Sequence, residues 1–162
     1  MRRIHITGAS GTGTSTLARA LATRLESQQF DTDDFYWVPS DPPFTEKRSP
    51  AERLELMERL FVPRPDWVLS GSCVGWGDPL MPRFTQVIFL TLAAGPRLAR
   101  LRARERRRYG ALIGPGGALE ERFRGFLDWA MGYDDESFRG RSRRMHEHWL
   151  ARLDCPVIRL DA

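Results

Sequence analysis

The sequence predicts an α/β fold: a mostly parallel sheet with helices on both faces. Three observations predict it. Short β-type runs alternate with helix-period segments along the 162 residues. The longest apolar run, VIFLTLAA, is the size of a buried strand and far short of a membrane span. A first strand runs straight into a glycine-rich turn and then into an amphipathic helix.

The elements follow in order. RRIHIT, residues 2–7, places Ile4 and Ile6 on a short strand. From about Ser15 to Gln28, Leu17, Leu21 and Leu25 recur at a spacing of four among good helix formers. Further strands are expected at DWVLSG (66–71), QVIFLTL (86–92) and CPVIRLD (155–161). Helical periodicity fills about 50–61, 95–109, 118–131 and 141–153, the last with Trp149, Leu150 and Leu153 facing inward. VPSDPPFTEKRSP (38–50) reads as an ordered excursion, and GALIGPGG (110–117) has the composition of a lid hinge. In a parallel sheet of this kind, ligands are expected at the carboxyl ends of the strands.

At this length one domain is expected. Cys73 and Cys155 are far apart and suggest neither a disulfide framework nor a metal site; His5, His146 and His148 lack zinc spacing. With no apolar segment after the basic MRR start, a cytoplasmic protein without membrane association is expected, a monomer or homodimer. Net charge is +4, and every basic residue except Lys47 is arginine. Anionic ligands must therefore be met mainly by guanidinium and backbone N–H groups.

GASGTGTST, residues 8–16, carries the glycine spacing of a phosphate-cradling loop. Gly8 and Gly13 are five apart and Ser15 supplies the hydroxyl position, while Thr14 stands where the G-x-x-x-x-G-K-[ST] pattern has lysine. Ser10, Gly11, Thr12, Thr14 and Thr16 complete the set of residues expected to surround phosphate oxygens. The backbone N–H groups and the positive end of the following helix survive the loss of lysine. Ser15 is placed to ligate Mg²⁺ shared with the β- and γ-oxygens of a nucleoside triphosphate.

HITGASGTGTSTLARALA resembles the opening of the small P-loop kinases, the adenylate kinase and shikimate kinase group. That resemblance implies a three-layer P-loop NTPase fold with a five-stranded sheet. It also implies a substrate-binding insertion at about 38–62, an arginine-bearing lid at about 104–124, and ATP with Mg²⁺ as cofactors. FDTDDFYW, residues 30–37, is similar to the D-[ST]-D element of shikimate-kinase-like proteins. By that similarity Asp31 lies on the metal side and Asp33 beside the acceptor hydroxyl, which it orients and deprotonates. The same run of acids also reads as a solvated turn or a helix cap.

WVLSGS, residues 67–72, ends in Ser70-Gly71-Ser72 where related strands often end in aspartate. Gly71 matches the glycine that admits substrate to the backbone. Downstream, Trp76, Asp78 and Arg83 are further acceptor-side candidates, Arg83 equally a surface ion pair. From Arg97 to Arg108 there are seven arginines and one glutamate. Arg100 and Arg104 match the R-x-x-x-R of adenylate-kinase-like lids. Arg104 and Arg108 are catalytic candidates, with Arg107, as partial replacements for the lysine; Arg122 lies on the lid's returning side. An arginine-rich helix also suits nucleic acid, but Leu98, Leu101 and Leu112 give it a packed face, which argues against that partner. Arg48 matches an arginine that binds a nucleoside-monophosphate phosphate in related insertions.

Two functions fit. One is an Mg-dependent kinase moving the γ-phosphate of ATP to a small molecule or nucleoside monophosphate. The other is a nucleotide-binding sensor without transfer activity, favoured by Thr14 and Ser70. Asp31, Asp33 and the arginines favour the kinase, because a pure binder needs no acceptor carboxylate.

Overall fold

The computed structural model describes residues 1–162. Five parallel strands form one sheet: β1 (Arg2–Gly8), β2 (Gln29–Asp31), β3 (Asp66–Ser70), β4 (Gln86–Thr91) and β5 (Val157–Asp161), in the order β2-β3-β1-β4-β5. Six α-helices connect or flank them: α1 (Thr14–Arg24), α2 (Thr32–Tyr36), α3 (Pro50–Leu60), α4 (Ala94–Tyr109), α5 (Glu120–Met131) and α6 (Arg143–Leu150). The expected five-stranded three-layer architecture is the one observed.

Period-two alternation sorts the strand residues onto two faces. Ile4 and Ile6 of β1, Val68 of β3, and Ile88 and Leu90 of β4 face α1. Trp67 and Leu69, with Val87 and Phe89, point the other way into a larger core with Phe35, Phe61 and Trp149. On α1 the fully buried residues are Ala18 and Ala22, not the leucines; Leu17, Leu21 and Leu25 pack around their edges. Small side chains let the helix lie close on the sheet, so the leucine stripe flanks the contact line instead of forming it.

Helix signals act locally as the sequence suggests for α3. Ser49 and Glu52 form a reciprocal capping box and Pro50 starts the helix. The short α2 was not foreseen as a helix. Asp31 caps it by accepting the Asp33 N–H at 3.1 Å, so the cap reading of this acid run holds alongside any other role. The last helix, Arg143–Leu150, is shorter at both ends than its periodicity suggests, and Ser142 caps its start.

The aromatic side of the sheet also buries two histidines. His5 stacks on Phe84 with ring centroids 4.9 Å apart, and its Nδ1 lies 3.0 Å from the Leu69 carbonyl oxygen. Burial holds the His5 pKa down to about 4 and the His146 pKa down to about 3. Both are neutral in the native state, whereas the unfolded chain takes up protons once the pH falls below their ordinary value of 6.5. Stability is therefore expected to fall as pH drops from 6.5 toward 4 and then 3, by about 2 kcal/mol per histidine at pH 5. Urea melts at neutral and mildly acidic pH test this; equal stability in both would refute it, and His5→Gln should flatten part of the slope.

Candidate functional site

The carboxyl ends of β1, β2 and β3 meet around the glycine-rich loop. Its backbone is set by glycine where no other residue fits. Gly11 has φ +86°, and a Cβ there would lie 2.7 Å from the Arg97 carbonyl oxygen. Gly13 has φ +103° and is the N-cap of α1, so no side chain caps the first turn. Those uncapped N–H groups and the helix dipole face the space above the loop, an arrangement suited to phosphate. Thr12 closes the loop from beneath, its hydroxyl donating to the Ala9 carbonyl at 2.8 Å.

Ser15 and Asp31 come together as expected: the Ser15 hydroxyl donates to Asp31 Oδ2 at 2.6 Å. Ser70, which stands in place of the usual acid, donates to the same oxygen at 2.8 Å, and Gln29 Nε2 donates to Ser70 at 2.9 Å. The β2–β3 register pairs Asp31 with Ser70, which puts the single carboxylate of this cluster on the neighbouring strand. Hard oxygen donors at a helix N-terminus fit Mg²⁺, which keeps water and phosphate ligands and needs few from the protein. No group of three or more His, Cys, Asp or Glu side chains converges anywhere in the structure.

Beyond the loop lies a cavity of about 670 Å³, bounded by α2, the insertion, α4 and α5. Asp33 lines this cavity and remains accessible from it. Burial raises the Asp33 pKa, the charge of Asp31 adds to this, and Arg141 and Arg104 pull it back. A carboxyl moved toward the working pH range makes a better proton acceptor than an ordinary surface aspartate.

Arg141 was not singled out in the sequence. Its Nη2 donates to Ser10 Oγ at 2.8 Å, its guanidinium carbon lies 4.8 Å from the Trp129 ring centroid, and its buried Nε has no partner. The only sequence signal was a basic pair around the Ser142 cap, which reads equally as a polar helix face.

The arginine helix divides its duties. Arg100 Nη1 donates to the Thr12 carbonyl at 3.2 Å, at the phosphate loop. Arg104 and Arg108 line the cavity, but both are tethered by the buried Glu105, at 2.8 Å and 3.7 Å. Arg107 is exposed and outside the cavity. Arg122 donates to the carbonyls of Pro43 and Phe44, which ties α5 to the segment that precedes α3.

Several acceptor-side candidates sit elsewhere. The Arg48 guanidinium donates to the backbone carbonyls of Asp34, Phe35 and Trp37. It is thereby consumed in tying the end of α2 to the insertion, and Arg53 occupies the cavity wall instead. Arg83 pairs with Glu58 at 3.5 Å on the surface, outside the cavity. Asp78 accepts from Trp149 Nε1 at 3.0 Å and from Arg152 at 2.7 Å, while Trp76 does line the cavity. Gly71 has φ +104°, and a Cβ there would collide with the Thr32 hydroxyl, so close packing against α2 is what demands glycine.

His146 is a second residue that periodicity alone concealed. Its Nε2 lies 3.0 Å from Ser72 Oγ and 3.3 Å from Thr7 Oγ1, and Nδ1 lies 2.9 Å from the Tyr133 hydroxyl. This buried network ties α6 to the ends of β1 and β3, directly beneath the loop and the cavity.

A family model for the AAA domain matches residues 4–121, nearly three quarters of the sequence and all of the loop, Asp31, Asp33 and the arginine helix. The chain belongs to the AAA domain family. Within it, this AAA-domain protein is 46% identical over 160 residues to Uncharacterized protein YqaC of Bacillus subtilis (strain 168), covering 99% of this chain and 88% of that one. Its fold is shared with a shikimate kinase from Bacteroides thetaiotaomicron at TM-score 0.51 and 19% identity, over 96% of this chain and 84% of that one. It is also shared with a gluconokinase from Sinorhizobium meliloti 1021 at TM-score 0.50 and 14% identity, over 99% and 82%. The P-loop kinase-like architecture implied by the opening residues is therefore the architecture of this chain.

Proposed function

We propose that this AAA-domain protein is an ATP- and Mg²⁺-dependent phosphotransferase acting on a small molecule. The observation that carries this reading is the placement of Asp33 and Arg141 on one cavity, with Arg141 bonded to Ser10 of the phosphate loop. A binder that only senses nucleotide needs no carboxylate at that position.

The roles divide by location. Magnesium, when bound, supplies charge neutralisation at the β- and γ-oxygens, and Ser15 with Asp31 would hold it. Backbone N–H groups from Gly8 to Thr16, with Arg100 at the loop's edge, hold the phosphates. Asp33 orients the acceptor hydroxyl and takes its proton. Arg141 lines the cavity beside Ser10 of the loop, and its guanidinium supplies to the transferring phosphoryl group the charge that the absent lysine would otherwise provide. Catalysis then rests on positioning and electrostatics. We assign the protein no membrane association and expect it in the cytoplasm.

The nucleotide half of this reading is tested by titration calorimetry with ADP and Mg²⁺. Wild type is expected to bind, and Gly13→Val to lose binding, because valine is strained at φ +103° and its branches enter the space above the loop. Absence of binding by wild type at millimolar nucleotide would end the proposal. A second reading, a nucleotide-binding sensor without transfer, draws on Thr14 and Ser70. It predicts the same calorimetry but no ATP consumption with any acceptor.

A further inference from the structure

Of the five tryptophans in the chain, Trp67 and Trp149 are in the core and Trp37, Trp76 and Trp129 line the cavity. Trp76 also packs against that core, which leaves Trp37 and Trp129 outside it. The cavity has two half-buried aromatic walls: Tyr36, Trp37, Phe44 and Trp76 on the insertion side, Phe126 and Trp129 on the lid side.

Cations are set against these rings. Arg53 lies 3.7 Å from the Tyr36 centroid, Arg108 5.1 Å from Phe44, Arg104 5.9 Å from Phe126 and Arg141 4.8 Å from Trp129. Lys47, the sole lysine, lies 5.6 Å from the Trp37 centroid. Six cationic side chains line the cavity against two carboxylates, and Glu105, one of the two, is already taken by Arg104 and Arg108. The phosphates of one nucleotide, part-neutralised by their metal ion, do not use all of this charge. Arg53 and Lys47 are on the insertion, apart from Arg100 and Arg141 at the phosphate loop.

What the wall lacks is equally informative. No asparagine or glutamine lines the cavity, and the chain contains no asparagine at all. Amides, with their paired donor and acceptor, are the usual readers of polyol hydroxyls and of base edges. Asp33 also disfavours a phosphate as the group that accepts, since two anions would meet there, and favours a hydroxyl.

We propose that the acceptor is a flat aromatic or heteroaromatic compound, other than a nucleotide, carrying a hydroxyl and an anionic group. Its ring lies between the two aromatic walls and its anion against Arg53 and Lys47. Stacking and cation–π contacts give such a ring affinity without amide readout. The role of the hydroxyl rests on the phosphotransferase reading. An oxygen lone pair attacks the γ-phosphorus of ATP, the bond from that phosphorus to the ADP oxygen breaks with its electrons leaving on ADP, and the hydroxyl proton passes to Asp33.

Tryptophan fluorescence of the full chain, titrated with four probes, tests the ligand class. The probes are 4-(hydroxymethyl)benzoate, benzyl alcohol, D-gluconate and adenosine monophosphate. The hydroxyaryl carboxylate is expected to bind at least about tenfold tighter than each of the others. Trp129→Ala and Arg53→Gln should each weaken it about tenfold, while unchanged binding of ADP with Mg²⁺ reports an intact fold. Equal or tighter binding of gluconate or adenosine monophosphate overturns the proposal, as does absence of aryl-acid binding by a protein that binds ADP. Transfer of labelled γ-phosphate separates the two readings. Aryl-acid binding without any transfer sinks the phosphotransferase reading and leaves the ligand class standing; transfer to gluconate alone does the reverse.

Discussion

Asp33→Asn is expected to lower phosphoryl transfer by roughly 100- to 10,000-fold, the span that a positioned proton acceptor contributes. Affinity for ADP with Mg²⁺ should change little, because Asp33 faces the cavity beyond the phosphate loop and is not among the groups bonded to Ser15. The amide keeps the shape and the N–H of residue 33 still reaches the Asp31 cap, so α2 should remain formed. The pH profile gives an independent reading. Burial and Asp31 raise the Asp33 pKa above its ordinary 3.8, so wild-type transfer should fall as pH drops through a value higher than that. Protonation removes the proton acceptor, which fixes the sign. In Asp33→Asn that acidic limb should disappear. A variant that binds nucleotide poorly yet transfers normally would place this carboxylate on the wrong side of the site.

Arg141→Ala should cost roughly 1,000-fold or more in single-turnover transfer, the range for a guanidinium that meets a transferring phosphoryl group. Arg141 lines the cavity, is bonded to Ser10, and its charge reaches Asp33. Arg104, by contrast, already spends its Nε on Glu105. Thr14→Lys supplies the diagnostic partner. In wild type the new ammonium would crowd Arg100 and Arg141 around the same oxygens, so little gain or a loss is expected. In the Arg141→Ala background the lysine has an empty place to fill and should recover at least about tenfold. A large gain from lysine in wild type, with Arg141→Ala silent, would mean the loop is a relic and no arginine has replaced its lysine. Thermal melts of each variant separate these outcomes from misfolding.

Much of this site could be read along the chain because its parts are local. Gly8, Gly11 and Gly13 announce a loop by backbone chemistry alone, and Ser15 and Asp31 fall at fixed places relative to a strand end. The arginine assignments were less legible. From periodicity, Arg48, Arg53, Arg83 and Arg141 are equivalent cations on polar faces. Whether each points into the cavity depends on what else competes for it: three carbonyls for Arg48, Glu58 for Arg83, only Ser10 for Arg141. Competition of that kind involves partners remote in sequence, 131 residues away in the case of Arg141 and Ser10.

The sequence by itself determined the parallel α/β architecture and the glycine-rich loop, since period-two and period-four patterns and glycine conformations act within a few residues. Only the tertiary structure decided that Ser15 and Ser70 donate to one Asp31 oxygen, that His146 locks α6 beneath the loop, and that Arg141 is bonded to Ser10. Each of these depends on strand register or helix docking, which brings distant residues within hydrogen-bond reach and leaves no trace in local pattern.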